Sequence, residues 1–120
     1  MKFILPMPPS INNTYAVNRT GKNTFYKKKN VKDWEKEAGW MIKKQWKGSK
    51  NPFNGDVQVG IDFYYADNRD IDNGLKVLFD LLQKQRVVIN DKQIRKITHV
   101  NIYQDLQNPR VEIEIEALRR

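Results

Sequence analysis

The chain of 120 residues contains no cysteine and a single histidine, His99. Without thiols it can have neither a disulfide framework nor a thiolate metal site. One imidazole excludes most zinc sites and any catalysis that needs two. His99 falls in a strand-like run, where its expected role is structural. No apolar run approaches the ~18 residues of a membrane-crossing helix. The apolar start Met1–Leu5 is broken at Pro6, too early for a signal peptide. The expected location is therefore the cytoplasm, with no membrane partner. Repeats, low-complexity tracts and linkers are also missing, so residues 1–120 are expected to form one domain around one core.

Acidic residues are scarce in the first half only. Residues 1–50 hold 12 Lys+Arg against 3 Asp+Glu, a balance of +9, whereas residues 51–120 hold 10 against 11, or −1. A basic half joined to a carboxylate-bearing half suits a polyanion held against a metal site. The alternative is an ordinary solvated basic surface.

Lys2–Leu5 reads as a short strand, followed by the stiff extended segment Pro6-Met7-Pro8-Pro9. Residues 15–17 and 23–26 read as a hairpin with a basic tip. Lys27-Lys28-Lys29 leads into a helix with Asn30 as candidate N-cap and Trp34, Ala38, Met41 and Ile42 at helical spacing. Lys32 and the other lysines of this helix fall mainly off that stripe, where they could contact phosphates. Trp34 and Trp46 are expected in the core or along an interface, with base stacking the lesser alternative. Val57 to Tyr65 alternates cleanly and gives the clearest strand signal. A second helix carries Leu75, Leu78, Phe79 and Leu82, and strands are expected at 94–103 and around 111–115.

Between the 57–65 strand and the second helix lies Asn68-Arg69-Asp70-Ile71-Asp72-Asn73-Gly74-Leu75-Lys76. Carboxylates spaced i, i+2 point to one side of an extended backbone, so Asp70 and Asp72 can converge on one hard divalent cation. Asp91 could close the set after the helix turns back. The alternative is that Asp70 and Asp72 are a turn former and a helix cap, with Asp72 as the N-cap.

Asp70-x-Asp72-Asn73-x-x-Lys76-x-x-x-Asp80-x-Leu82, followed by Asn90-Asp91-x-Gln93-Ile94, closely resembles the RusA family of Holliday junction resolvases. Leu5-Pro6-x-Pro8-Pro9-Ser10-x-Asn12 is similar to the opening motif of that family. The resemblance implies an α+β fold, a single domain with a mixed sheet and two main helices. It implies a homodimeric, magnesium-dependent endodeoxyribonuclease, often phage-encoded, that nicks four-way junction DNA symmetrically, with Mn²⁺ a possible substitute for Mg²⁺. The family's catalytic and metal-binding acids map onto Asp70, Asp72 and Asp91, and its lysine onto Lys76. Expected DNA contacts are Lys27, Lys28, Lys29, Lys32, Arg69 and Lys76. The rival readings are a non-catalytic nucleic-acid-binding module and a less selective branched-DNA nuclease. Two departures stand out. Asn90 replaces a frequent second acid, and Gln85-Arg86 stands where the family often has Gly, so a non-Gly residue must take the left-handed cap or the helix must end differently.

Overall fold

The alternation at 57–65 sorts Val57, Val59, Ile61, Phe63 and Tyr65 to one side, and in the computed structural model all five are buried. The structure describes residues 1–9, 15–17, 25–27, 29–46, 52–67 and 74–118. In chain order the elements are β1 (Lys2–Pro6), β2 (Tyr15–Val17), β3 (Phe25–Lys27), α1 (Lys29–Gln45), β4 (Val57–Tyr65), α2 (Leu75–Lys84), β5 (Ile94–Gln104) and β6 (Arg110–Ala117). A 3-10 turn at Asp91–Gln93 precedes β5. The main sheet has the order β1-β6-β4-β5, and β2 pairs with β3 as the expected hairpin. β6 runs antiparallel to both its neighbours, whereas β5 is parallel to β4. This is the mixed sheet with two helices expected of the α+β class.

Both helices cover one face of that sheet. Val31, Trp34, Ala38 and Ile42 of α1 and Val77, Leu78, Leu81 and Leu82 of α2 join the inward side chains of β1, β4 and β6 in one core. Each fully buried Leu, Val or Ile stabilises the fold by ~1.5–3 kcal/mol relative to exposure. Trp34 belongs to this core and donates its indole N–H to the Pro6 carbonyl at 2.9 Å. Trp46 meets Phe3 edge-on at 6.2 Å. These contacts give both tryptophans a packing role.

The other face is polar, as period two requires. Lys2 and Arg110 both reach Glu112 at 2.8 Å, and Arg110 also binds Asp105 at 3.1 Å. The Lys2 and Arg110 partners hold the Glu112 carboxyl below its ordinary range, so it stays charged. His99 lies against Gly60, where a Cβ would come 2.4 Å from the ring, and its Nε2 stands 3.3 Å from Asp62. These contacts hold the ring against β4. At the β1 edge, the Gln45 amide accepts the Ile4 N–H at 2.8 Å and donates to the Ile4 carbonyl at 2.7 Å. It stands in for a neighbouring strand and closes that edge.

Helix ends depart from expectation in two places. α1 begins at Lys29, so Asn30 is inside the first turn, where its Oδ1 accepts the Val31 N–H at 3.0 Å. α2 begins at Leu75 with Gly74, not Asp72, at the N-cap and no side-chain cap. A Cβ at position 74 would lie 2.9 Å from the Phe63 and Tyr65 side chains and 3.0 Å from Pro8. Close approach to the core therefore selects a glycine where local chemistry favours aspartate. At the other end Arg86 adopts φ 58, the first of the two alternatives, a left-handed cap at a non-glycine residue. Its N–H bonds to the Gln83 carbonyl and the Val87 N–H to the Leu82 carbonyl, the paired bonds of a Schellman ending.

The left-handed conformation costs an L-residue ~1 kcal/mol that glycine avoids. Arg86→Gly should therefore raise the thermal midpoint by a few degrees, less whatever the freer unfolded chain takes back. Differential scanning calorimetry checks this; a lower midpoint would mean the arginine side chain contributes more than the cap costs.

Candidate active site

The proline-rich opening and the central motif meet at the start of α2. Pro6 is tied to Trp34, and Pro8 is buried next to Gly74. Two residues on, Lys76 is exposed in the first turn of α2, and Asp80 is half-buried one turn later. Asp70, Asp72 and Arg69 lie outside the described residues, as does Lys28. Lys27 ends β3 and Lys29 begins α1, and Lys32 is exposed on α1.

Asp91 sits at the opposite end of α2, on a turn held by several hydrogen bonds. Asn90 caps it, with Oδ1 accepting the Lys92 N–H at 2.9 Å. The Gln93 Oε1 accepts the N–H groups of Ile89 at 2.7 Å and Asn90 at 3.0 Å. Its Nε2 donates to the carbonyls of Phe53 at 2.7 Å and Gly55 at 2.8 Å. The Asp91 N–H donates to Gln83 Oε1 at 3.1 Å. The Asn90 Oδ1 thus serves this cap. The exposed Asp91 carboxylate has no hydrogen bond or ion pair with any described residue. A hydrogen-bonded turn thus presents the Asp91 carboxylate to the outside.

Carboxylate oxygens are the donors that hard divalent cations such as Mg²⁺ take, and the set Asp70, Asp72 and Asp91 is made of nothing else. Among the described residues, no three acidic or imidazole side chains gather to hold a metal. Lys76 and Asp91 are not brought together either. Seven residues of helix, ~10 Å, separate Lys76 from the Gln83 that touches Asp91.

Two residues escape notice in the sequence. Gln93 carries the Asp91 turn, and its signal is the Asn-x-x-Gln spacing of a capping box. Trp40 is 68 % exposed, flanked on α1 by exposed Lys36, Lys43 and Lys44 at helical spacings of three and four. The signal was its place off the Trp34–Ala38–Met41–Ile42 stripe. An exposed tryptophan among lysines suits a nucleic acid, because stacking and phosphate contacts then fall on one face.

A small α+β domain with an exposed carboxylate at one helix end and lysines around Trp40 on a helix face suits a nucleic-acid enzyme better than a small-molecule one. Residues 6–116 match the family profile of Endodeoxyribonuclease RusA, and the chain belongs to that family. The Crossover junction endodeoxyribonuclease RusA of Aquifex aeolicus (strain VF5) is 34 % identical over 93 residues, covering 78 % of this chain and 71 % of the relative.

The Gln93 amide makes its bonds as both donor and acceptor, which sets up a graded test. Gln93→Ala should cost ~2 kcal/mol, from several bonds of ~0.5–1.5 kcal/mol each partly replaced by water. Gln93→Glu should cost at least as much, because a carboxylate faces the Phe53 and Gly55 carbonyls with no N–H to offer. Urea unfolding midpoints check both; a Glu variant as stable as the parent would contradict the donor role.

Proposed function

We propose that this chain resolves four-way DNA junctions by paired symmetric nicks, using a divalent cation held by Asp70, Asp72 and Asp91. Magnesium is the expected ion and manganese a substitute. The observation that carries this reading is the exposed Asp91 carboxylate, without a partner among the described residues, on its hydrogen-bonded turn in a chain of the RusA family. A carboxylate held on a bonded turn, with no partner among the described residues, is open to a cation. When bound, the cation supplies the Lewis acidity that makes water nucleophilic and balances charge on the phosphate.

The chain's own residues do the rest. Lys76, exposed in the first turn of α2, donates to a phosphate oxygen as negative charge builds there. Lys32, Lys36, Lys43 and Lys44 on α1 position the duplex, with Lys27, Lys28, Lys29 and Arg69 as further contacts. Trp40 stacks against a base or sugar at that face. The duplex approaches from the helix side, because the outer sheet face carries Asp62, Glu112, Glu114 and Glu116. Lys2 and Arg110 are already engaged by Glu112 there. A homodimer offers two equivalent sites to two equivalent strands, which is what paired nicks need. No helix among the described residues is long and apolar enough to cross a membrane.

Labelled four-way, flap and linear duplex DNA, incubated with Mg²⁺ or with EDTA, provides the test. The parent protein should nick the four-way junction at paired positions only with metal, and Asp91→Asn should bind it but leave it uncut. Binding without metal-dependent cuts would mean a binding module. Comparable rates on flaps would mean a less selective nuclease.

Trp40→Ala should weaken junction binding several-fold while leaving turnover at saturating DNA unchanged, since base stacking contributes ~1–3 kcal/mol. Fluorescence gives a second reading. DNA should quench the exposed tryptophan of the parent protein, and the Ala variant should lose that quenching. Equal affinity in both proteins would remove Trp40 from the interface.

A further inference from the structure

We infer that Leu106, at the tip of the hairpin joining β5 to β6, is an apolar wedge that enters the branch point of the four-way junction. The inference rests on the junction-cutting reading above and adds a residue that senses the branched form of the DNA.

The tip stands at the end of the sheet from which the acidic segment departs. The Asp105 N–H donates to the Tyr65 carbonyl at 2.8 Å, which ties the hairpin to the last residue of β4. The Tyr65 side chain lies against Gly74 at the start of α2, and exposed Lys76 follows two residues later. Asp70 comes five residues after Tyr65, so peptide geometry keeps its Cα within ~18 Å of that strand end. Leu106 is the residue next to the Asp105 bond.

The tip is braced on both sides. Asp105 Oδ1 accepts the N–H groups of Gln107 at 3.2 Å and Asn108 at 3.0 Å. Arg110 Nη1 donates to Asp105 Oδ2 at 3.1 Å and to the Asn108 carbonyl at 2.9 Å. The Asn108 N–H, with Arg110 behind it, holds the Asp105 carboxyl below its ordinary range, so the brace is charged at neutral pH. Below the tip, Tyr103 stacks on Tyr64 at 5.0 Å and the Arg110 guanidinium lies 3.8 Å from the Tyr64 ring centre.

On this braced turn Leu106 is 70 % exposed, more than any other large apolar side chain among the described residues. Turns favour Gly, Asn, Asp or Ser for the bend itself, and a leucine supplies none of that chemistry. Its neighbours Gln104, Gln107, Asn108 and Pro109 are uncharged, and Asp105 is paired with Arg110, so phosphates meet little repulsion here. Inserting an apolar side chain between stacked bases costs a few kcal/mol per step. A linear duplex imposes that cost in full. At the branch point of a four-way junction the stack is already interrupted, so the wedge enters at lower cost and the branched form is favoured.

Four-way junctions carrying 2-aminopurine beside the branch point give the test, because this base fluoresces more strongly when unstacked. Binding is measured in EDTA, with a linear duplex of the same sequence alongside. The parent protein should prefer the junction and raise its fluorescence. Leu106→Ala should lose most of that rise, and its preference for junction over duplex should fall several-fold. Leu106→Met, which keeps a long apolar side chain, should restore both. Neither change should lower the thermal midpoint, because the side chain is exposed. A rise that survives in Leu106→Ala, or a parent protein that prefers the junction without any rise, would overturn the inference alone. So would a Leu106→Ala protein that is monomeric in light scattering where the parent is dimeric, since Leu106 would then be a contact between copies. A parent protein that binds junction and duplex equally would overturn the junction-cutting reading, and the inference with it.

Discussion

Parallel pairing of β4 with β5 is the constraint from which the rest follows. Antiparallel neighbours can be joined by a tight turn, but a parallel neighbour obliges the chain to travel back along the sheet before it can re-enter. α2 is that return path, and its length separates the motif at its start from the motif at its end. The segment holding Asp70 and Asp72 leaves the outgoing end of β4, and Asp91 precedes the incoming end of β5. The same crossover buries Val77, Leu78, Leu81 and Leu82 against the sheet, so the separation of the two motifs is secured by core packing.

The sheet also divides the charge. Its covered face is apolar and its outer face collects the carboxylates of β4 and β6, whereas α1 displays lysines around Trp40. A polyanion meets attraction on the helix side and repulsion on the other. The Gln45 amide, bonded to both backbone groups of Ile4, prevents growth of the sheet at β1. The β5 edge is roughened by two register shifts and by exposed Arg95 and Lys96. Both edges are therefore blunted against indiscriminate strand addition.

Where a residue's local preference and its packing agreed, the sequence was easy to read. Val57 to Tyr65 spans β4 to the residue, because period-two alternation and burial are one fact seen twice. The end of α2 was legible only as two alternatives, a non-glycine left-handed cap or a different ending, and burial of Val87 and Val88 accompanies the first at Arg86. Asp72 and Asn30 misled as N-caps for a common reason. Cap preference is worth ~1 kcal/mol, too little to override where a helix must begin for its apolar face to dock. Gly74 wins the cap of α2 because Phe63, Tyr65 and Pro8 leave room for no side chain.

By itself the sequence determined the elements, the charge asymmetry, the family and the chemical kind of the candidate site, since these depend on residue type and short spacing. Oxygen donors, a nearby lysine and the absence of thiols point to a hard cation whatever the fold does with them. Only the tertiary structure decided that Asp91 and the start of α2 stand at opposite ends of a helix, that Asn90 is a cap, and that Trp40 faces outward while Trp34 is core. Those outcomes depend on which strands pair and in which direction. Such pairing is settled by long-range burial between segments far apart in the chain, which no local pattern records.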